Sequence, residues 1–284
     1  MMTRLSGILL LVLGAAAPRG AAAAWKPAGE APVTHKASVA AFVDEKNGIT
    51  AGYAGTMYFT QDGGKTWTPG KNSSACRFGL EARPGAAWSA GNHGQVRASK
   101  DGGASWTPAA AFGSPLPGHA RFLSFVDAKR GLIASPSLLA FTTDGGESWT
   151  RLETPAQLTA IAAIAISEEG GALRLRVLDE LGDLWLSIDA GKSWTEAPSP
   201  LKDPVMASMT TPWAALRFNG AEGVLAAFLD EGVPRGHVYR TRDGGKTWTE
   251  EQVEGLQVGT PTLSWDAKVL VTFDVKAVHV YRSN

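Results

Sequence analysis

The chain has 284 residues with 27 Lys and Arg against 27 Asp and Glu, so its formal net charge is +0. Nothing in that balance argues for nucleic acid or an anionic membrane as the main partner, and neither is expected. Its single cysteine, Cys76, excludes an internal disulfide and reads as a small buried apolar residue at the start of a strand.

Residues 1–24 come first in chain order. Arg4 precedes an apolar run over 5–17 and a small-residue stretch ending Ala22-Ala23-Ala24. This pattern predicts a secretory signal cleaved near Ala24, with a run too short to anchor the chain as a transmembrane helix. The domain organisation expected is a signal at 1–24 and one domain at 25–284. Loss of Arg4 and Arg19 leaves 25 basic and 27 acidic residues, a net charge of −2. At this size a single monomeric domain can bury most of its extended-chain surface without cross-links.

From residue 38 onward, short apolar or alternating runs at 38–43, 49–53, 57–60, 122–126, 132–135, 177–178 and 224–229 are separated by Gly, Pro, Asn and Asp clusters. They predict short strands joined by tight turns. Through them run five copies of one octapeptide: TQDGGKTW at 60–67, SKDGGASW at 99–106, TTDGGESW at 142–149, SIDAGKSW at 187–194 and TRDGGKTW at 241–248. All five fit [ST]-x-D-x-G-x-[ST]-W, which makes this a repeat protein. The aspartates stand at 62, 101, 144, 189 and 243, at intervals of 39, 43, 45 and 54 residues, the size of one four-stranded propeller blade.

Each box reads as a hairpin device. The aspartates (Asp62, Asp101, Asp144, Asp189, Asp243) accept backbone N–H bonds across the turn, and glycine supplies positive φ. Box four has Ala190 where the others have a first glycine, so the second (Gly64, Gly103, Gly146, Gly191, Gly245) is expected to need the unusual φ. The tryptophans (Trp67, Trp106, Trp149, Trp194, Trp248) are expected to bury a large apolar surface. A structural role is preferred to calcium binding, since one carboxylate per turn falls short of the six to eight oxygens that calcium takes.

The C-terminal His279-Val280-Tyr281-Arg282-Ser283-Asn284 mirrors His237-Val238-Tyr239-Arg240-Thr241-Arg242 and stops where a sixth Asp would stand. At the other end, Trp25-Lys26-Pro27-Ala28 resembles the tail of a box, as in Trp67-Thr68-Pro69-Gly70. A sixth, composite blade is therefore expected, with three strands from 259–284 and its outer strand from 25–31. The fold predicted is an all-β, six-bladed propeller of four-stranded blades, with seven blades as the alternative. The long interval before Asp243 is read as a loop or strand extension within 203–219.

In this connectivity the turns between strands two and three share one face with the loops entering strand one. The boxes point to the other face, so the search for a site belongs at the axial mouth. Binding candidates there are Tyr53, Arg77, Asn92, His93, His119, Arg121, Asp183, Arg235 and Lys276, joined by His35 and Lys36. His35, His93 and His119 do not have metal-motif spacing and read as solvated loop histidines, so neither a metal nor a cofactor is expected. Arg174-Leu175-Arg176 reads as a solvated strand face. Trp88, Trp185, Trp213 and Trp265, which neither boxes nor closure explain, read as core packing between blades, with sugar stacking as the competing use.

The boxes resemble the BNR or Asp-box repeat of sialidases, sortilin-type receptors and the photosystem II stability and assembly factor family. In that repeat the box lies between strands three and four of a blade. The Phe-Val-Asp-x-Lys-x-Gly motifs at 42–48 and 125–131 add to the resemblance to the assembly-factor family, which extends over the whole chain after residue 24. It implies a non-catalytic, exported protein-binding scaffold that serves a membrane or envelope complex. That family has a seven-bladed ring and a basic arginine-rich surface, whereas this chain counts six blades and is near neutral. A sialidase needs an arginine in its first blade, and none occurs between Trp25 and Cys76. A glycan-binding lectin is the remaining alternative. No phosphate loop, zinc-protease helix or nucleophile elbow occurs.

Overall fold

The computed structural model describes residues 25–32, 37–52, 56–73, 79–91, 95–109, 120–202, 213–230, 234–273 and 277–284. The expected signal at 1–24, Cys76, and the candidates His35, Lys36, Tyr53, Arg77, Asn92, His93, His119 and Lys276 lie outside them.

The described residues form six four-stranded antiparallel blades and no helix. Strand β1 (Trp25–Pro32) is the first described element. Blade one holds β2 (Ala37–Phe42), β3 (Gly48–Gly52), β4 (Met57–Thr60) and β5 (Thr68–Pro69). Blade two holds β6 (Gly79–Arg83), β7 (Ala86–Ala90), β8 (Val96–Ser99) and β9 (Thr107–Pro108). Blade three holds β10 (Phe122–Phe125), β11 (Gly131–Ser135), β12 (Leu138–Thr142) and β13 (Thr150–Leu152). Blade four holds β14 (Ile161–Glu169), β15 (Ala172–Asp179), β16 (Leu184–Ser187) and β17 (Thr195–Ala197). Blade five holds β18 (Trp213–Asn219), β19 (Glu222–Asp230), β20 (Pro234–Thr241) and β21 (Thr249–Glu251). Blade six holds β22 (Thr260–Leu263), β23 (Val269–Phe273) and β24 (Ala277–Ser283), with β1 as its outer strand.

The six-bladed composite closure is thus present, from Trp25 opposite Ser283 to Pro32 opposite Ala277, with a bulge between Pro27 and Gly29. The long interval before Asp243 is absorbed without a further blade. Strands β18, β19 and β20 run 7, 9 and 8 residues, and 203–212 lies outside the described residues.

Six apolar clusters fill the ring, one at each contact between neighbouring blades. Every box tryptophan sits at the contact between its own blade and the preceding one. Trp67 meets Phe42 edge-on at 6.3 Å, Trp149 meets Phe125 at 6.0 Å and Trp248 meets Phe218 at 5.9 Å. The indoles of Trp194 and Trp248 donate to Glu153 O and Pro198 O just past the outer strand of the blade before. Trp25 takes the sixth such place. It is 0% exposed between blades five and six, and its indole donates to Glu251 Oε2 at 2.7 Å.

The Phe-Val-Asp-x-Lys-x-Gly motif has a packing cause. The Phe125 ring lies across Gly131 on the paired strand, where a Cβ would stand 2.4 Å from the ring. Phe42 over Gly48 repeats the arrangement. The motif aspartates Asp44 and Asp127 hold the turn by accepting backbone N–H bonds from Lys46 and Asn47, and from Lys129 and Arg130.

Three sequence expectations need correction. Arg176 is not solvated: it is 2% exposed, stacks 3.7 Å over Phe218 and donates to Ser167, Glu169 and Gly244 O, tying blade four to blade five. Both box positions, not the second alone, have positive φ, and Ala190 adopts φ 59°. Trp213 is not core: it is 46% exposed, whereas Trp88 and Trp185 are buried.

Candidate functional site at the axial mouth

All five boxes are built alike. In the first, Thr60 Oγ1 donates to Asp62 Oδ1 at 2.8 Å and accepts the N–H of Gly64 at 2.9 Å. Asp62 then accepts the Thr66 N–H on Oδ1 and the Thr66 hydroxyl on Oδ2. Hydroxyl and amide donors stabilise the ionised carboxylate, the Thr66 hydroxyl contributing most, and lower the Asp62 pKa to about 2. Asp144 and Asp189 fall to about 2 for the same cause, led by Ser148 and Ser193. These oxygens are occupied by their own turn, which agrees with a structural role. Among the described residues no group of three His, Cys, Asp or Glu is placed to hold a metal ion.

The opposite face opens into an axial cavity of about 470 Å³ lined by the inner strand of every blade. Val39, Leu123, Ala163 and Phe273 contribute apolar wall, and Arg121 and Trp213 stand where β10 and β18 begin. Both of these are exposed. Arg217 is the last residue along β18 that lines the cavity.

Arg217 reaches across the axis from blade five to blade two. Its two Nη atoms donate to Glu81 Oε1 at 3.0 Å and Oε2 at 2.6 Å, and Nη1 also donates to Ser124 of blade three at 2.9 Å. Burial pushes the Glu81 carboxyl up from its usual range, against the pull of Arg217 and Arg83. Arg83, on the same strand as Glu81, lies 5.1 Å over the ring of Trp265 and donates to Phe125 O. These contacts close the box-side end of the axis, so the cavity is a funnel with an internally paired floor.

Among the sequence-predicted candidates, Arg121, Asp183 and Arg235 are described. Arg121 lines the cavity. Asp183 lies in the turn from β15 to β16, where it accepts from Lys202 Nζ at 2.9 Å. Arg235 is exposed on β20 opposite Leu229. Neither of these two lines the cavity. Sequence reasoning missed Glu81, Ser124 and Arg217, and it read the exposed Trp213 as core packing. The available signal was a charge inside an otherwise apolar stretch of an inner strand, Glu81 in Gly79-Leu80-Glu81-Ala82 and Arg217 in Ala214-Ala215-Leu216-Arg217.

Comparison with known proteins agrees with this architecture. The family described as photosynthesis system II assembly factor YCF48 matches residues 78–205, and the BNR/Asp-box repeat matches 58–69 and 239–250. A solved structure of YCF48 bound to D1 peptide is 18% identical, with a TM-score of 0.50 and coverage of 92% of this chain and 96% of that one. YCF48 from Cyanidioschyzon merolae is 16% identical, with a TM-score of 0.55 over 92% of this chain and 99% of its own. The GH74 enzyme of Niastella koreensis is 14% identical, with a TM-score of 0.55 over 88% of this chain and 44% of that one. At these identities the likeness establishes the fold alone. No curated protein matches the chain in sequence.

Proposed function

We propose that this chain, a six-bladed propeller of BNR/Asp-box repeats similar to YCF48, is an exported, non-catalytic scaffold whose axial mouth binds another protein during assembly or maintenance of an envelope complex. The observation that carries this reading is the funnel itself: a cation and an indole stand exposed at its rim, above a floor whose Arg217–Glu81 pair is satisfied internally. Glycoside hydrolysis calls for two carboxylates facing the substrate. Among the described residues lining the cavity there is no carboxylate, and nearby Glu81 is committed to Arg217. Similarity to a YCF48 structure bound to D1 peptide supports a protein partner.

The test is crosslinking of the tagged protein in its native envelope, followed by mass spectrometry, with Arg121→Glu as the control. Enrichment of one complex subunit, lost in the variant, is expected. Enrichment that is unchanged in Arg121→Glu and maps to the box face would sink the reading. The exposed Trp213 favours a second reading, a glycan stacked on the indole, which a broad glycan panel tests directly.

A further inference from the structure

We propose that the axial cavity binds a carboxylate carried on an apolar group, with the apolar part inserted and the carboxylate held at the rim by Arg121. This specifies the ligand chemistry of the mouth and rests on the reading that the mouth is the binding face. Its first support is charge placement. Only two charged residues line the cavity among the described residues, Arg121 and Arg217. Arg217 is neutralised by the two-pronged bond to Glu81, and its free-standing charge is therefore small at the floor. Arg121 differs: no side-chain hydrogen bond or ion pair joins it to another described residue, and it is exposed.

The second support is the polarity gradient. Between Arg121 and Trp213, where the inner strands begin, and Arg217 with its Glu81 partner, the wall carries aliphatic and aromatic side chains together with Thr260 and Thr262. A second anion at the floor would compete with Glu81 for Arg217 in a buried setting, where leaving either charge unpaired is costly. A cation at the rim would face Arg121. The remaining arrangement places an apolar group against the wall, the Trp213 indole over it, and the anion beside Arg121 in contact with water. A cavity of about 470 Å³ is within the range of small-ligand sites and accepts a side chain or a short acyl chain rather than a folded element.

Two sources carry this chemistry, an acyl chain and the C-terminal residue of a peptide. The experiment titrates the purified chain by calorimetry with octanoate, octylamine, N-acetyl-leucine and N-acetyl-leucine amide. Three variants accompany it: Arg121→Gln, Trp213→Ala and, on the box face, Arg242→Gln. At least one carboxylate is expected to bind, with octylamine and the amide weaker. Arg121→Gln is expected to weaken that carboxylate about tenfold, the scale of one charge-assisted hydrogen bond. Trp213→Ala is expected to weaken it as well, and Arg242→Gln to leave it unchanged. Preference for octanoate identifies an acyl chain, and preference for N-acetyl-leucine identifies a peptide end.

Equal binding of octylamine, equal loss in Arg242→Gln and Arg121→Gln, or no binding of either carboxylate overturns the inference. Melting curves of the variants separate a lost site from a lost fold. Because crosslinking of a protein partner is read independently, failure here with mouth-directed crosslinks intact removes the carboxylate site and leaves the scaffold reading standing.

Discussion

Ala190 isolates what the box demands of its backbone. In the other four boxes the first glycine has φ between 71° and 81°, and Ala190 reaches 59°, in the left-handed well that an L-residue enters at some cost. The second glycine has φ between 87° and 95°, and at Gly191 a Cβ would stand 2.7 Å from Leu152. In box four, therefore, the second position combines strain with a clash, whereas the first position is strained but accepts the alanine. Ala190→Gly is expected to stabilise the protein by about 1 kcal/mol, read as a rise in melting temperature of about 2–4 °C. The aspartates make a pH prediction. Asp62, Asp144 and Asp189 fall from an ordinary 3.8 to about 2 in the folded protein, so the folded state favours their ionised form. Their stabilisation is complete above about pH 4 and is lost as pH falls through about 2. In melting curves from pH 5 to pH 2, Asp144→Asn is expected to lie below the parent at pH 5 and to converge on it in acid. A constant gap would contradict the assignment.

At the scale of elements, two links hold the ring. The first is β1, which pairs with β24 and delivers Trp25 to the contact between blades five and six. Burial of a tryptophan alone accounts for about 3–5 kcal/mol, and removal of the strand also exposes the backbone edge of β24. Deletion of 25–31 is expected to lower the melting temperature by about 10 °C or more, and an unchanged melting curve would refute the closure. The second is the cross-axis pair on β6 and β18. Glu81→Ala leaves Arg217 buried without its counter-ion and is expected to cost about 3–5 kcal/mol in denaturant unfolding. The double variant Glu81→Met/Arg217→Met is expected to recover most of that loss, since apolar residues of similar volume replace a buried pair at little net cost. Equal destabilisation by the single and double variants would show that the pair itself, rather than its unpaired remnant, sets the stability.

For the whole molecule, the five boxes and the two chain ends made the blades, their number and their composite closure legible in the sequence, because each is a local pattern with a fixed period. The mouth was legible as a face and much less as a set of residues. Arg121, one of the residues expected there, lines the cavity, whereas Glu81, Ser124 and Arg217 come from blades two, three and five, and Arg217 lies 136 and 93 positions from its two partners. No local pattern announces such a meeting. Arg176 shows the same limit: an Arg-Leu-Arg alternation is indistinguishable from a solvated strand face until blade five supplies Phe218 and Gly244 O. The sequence by itself determined the repeat, the turn chemistry and the closing strand, since hydrogen bonds within an octapeptide and a period of about 40–50 residues are local or additive properties. Only the tertiary structure decided which inner-strand charges neutralise one another, which tryptophan stays exposed and what lines the funnel, because the ring brings six distant strands to one axis.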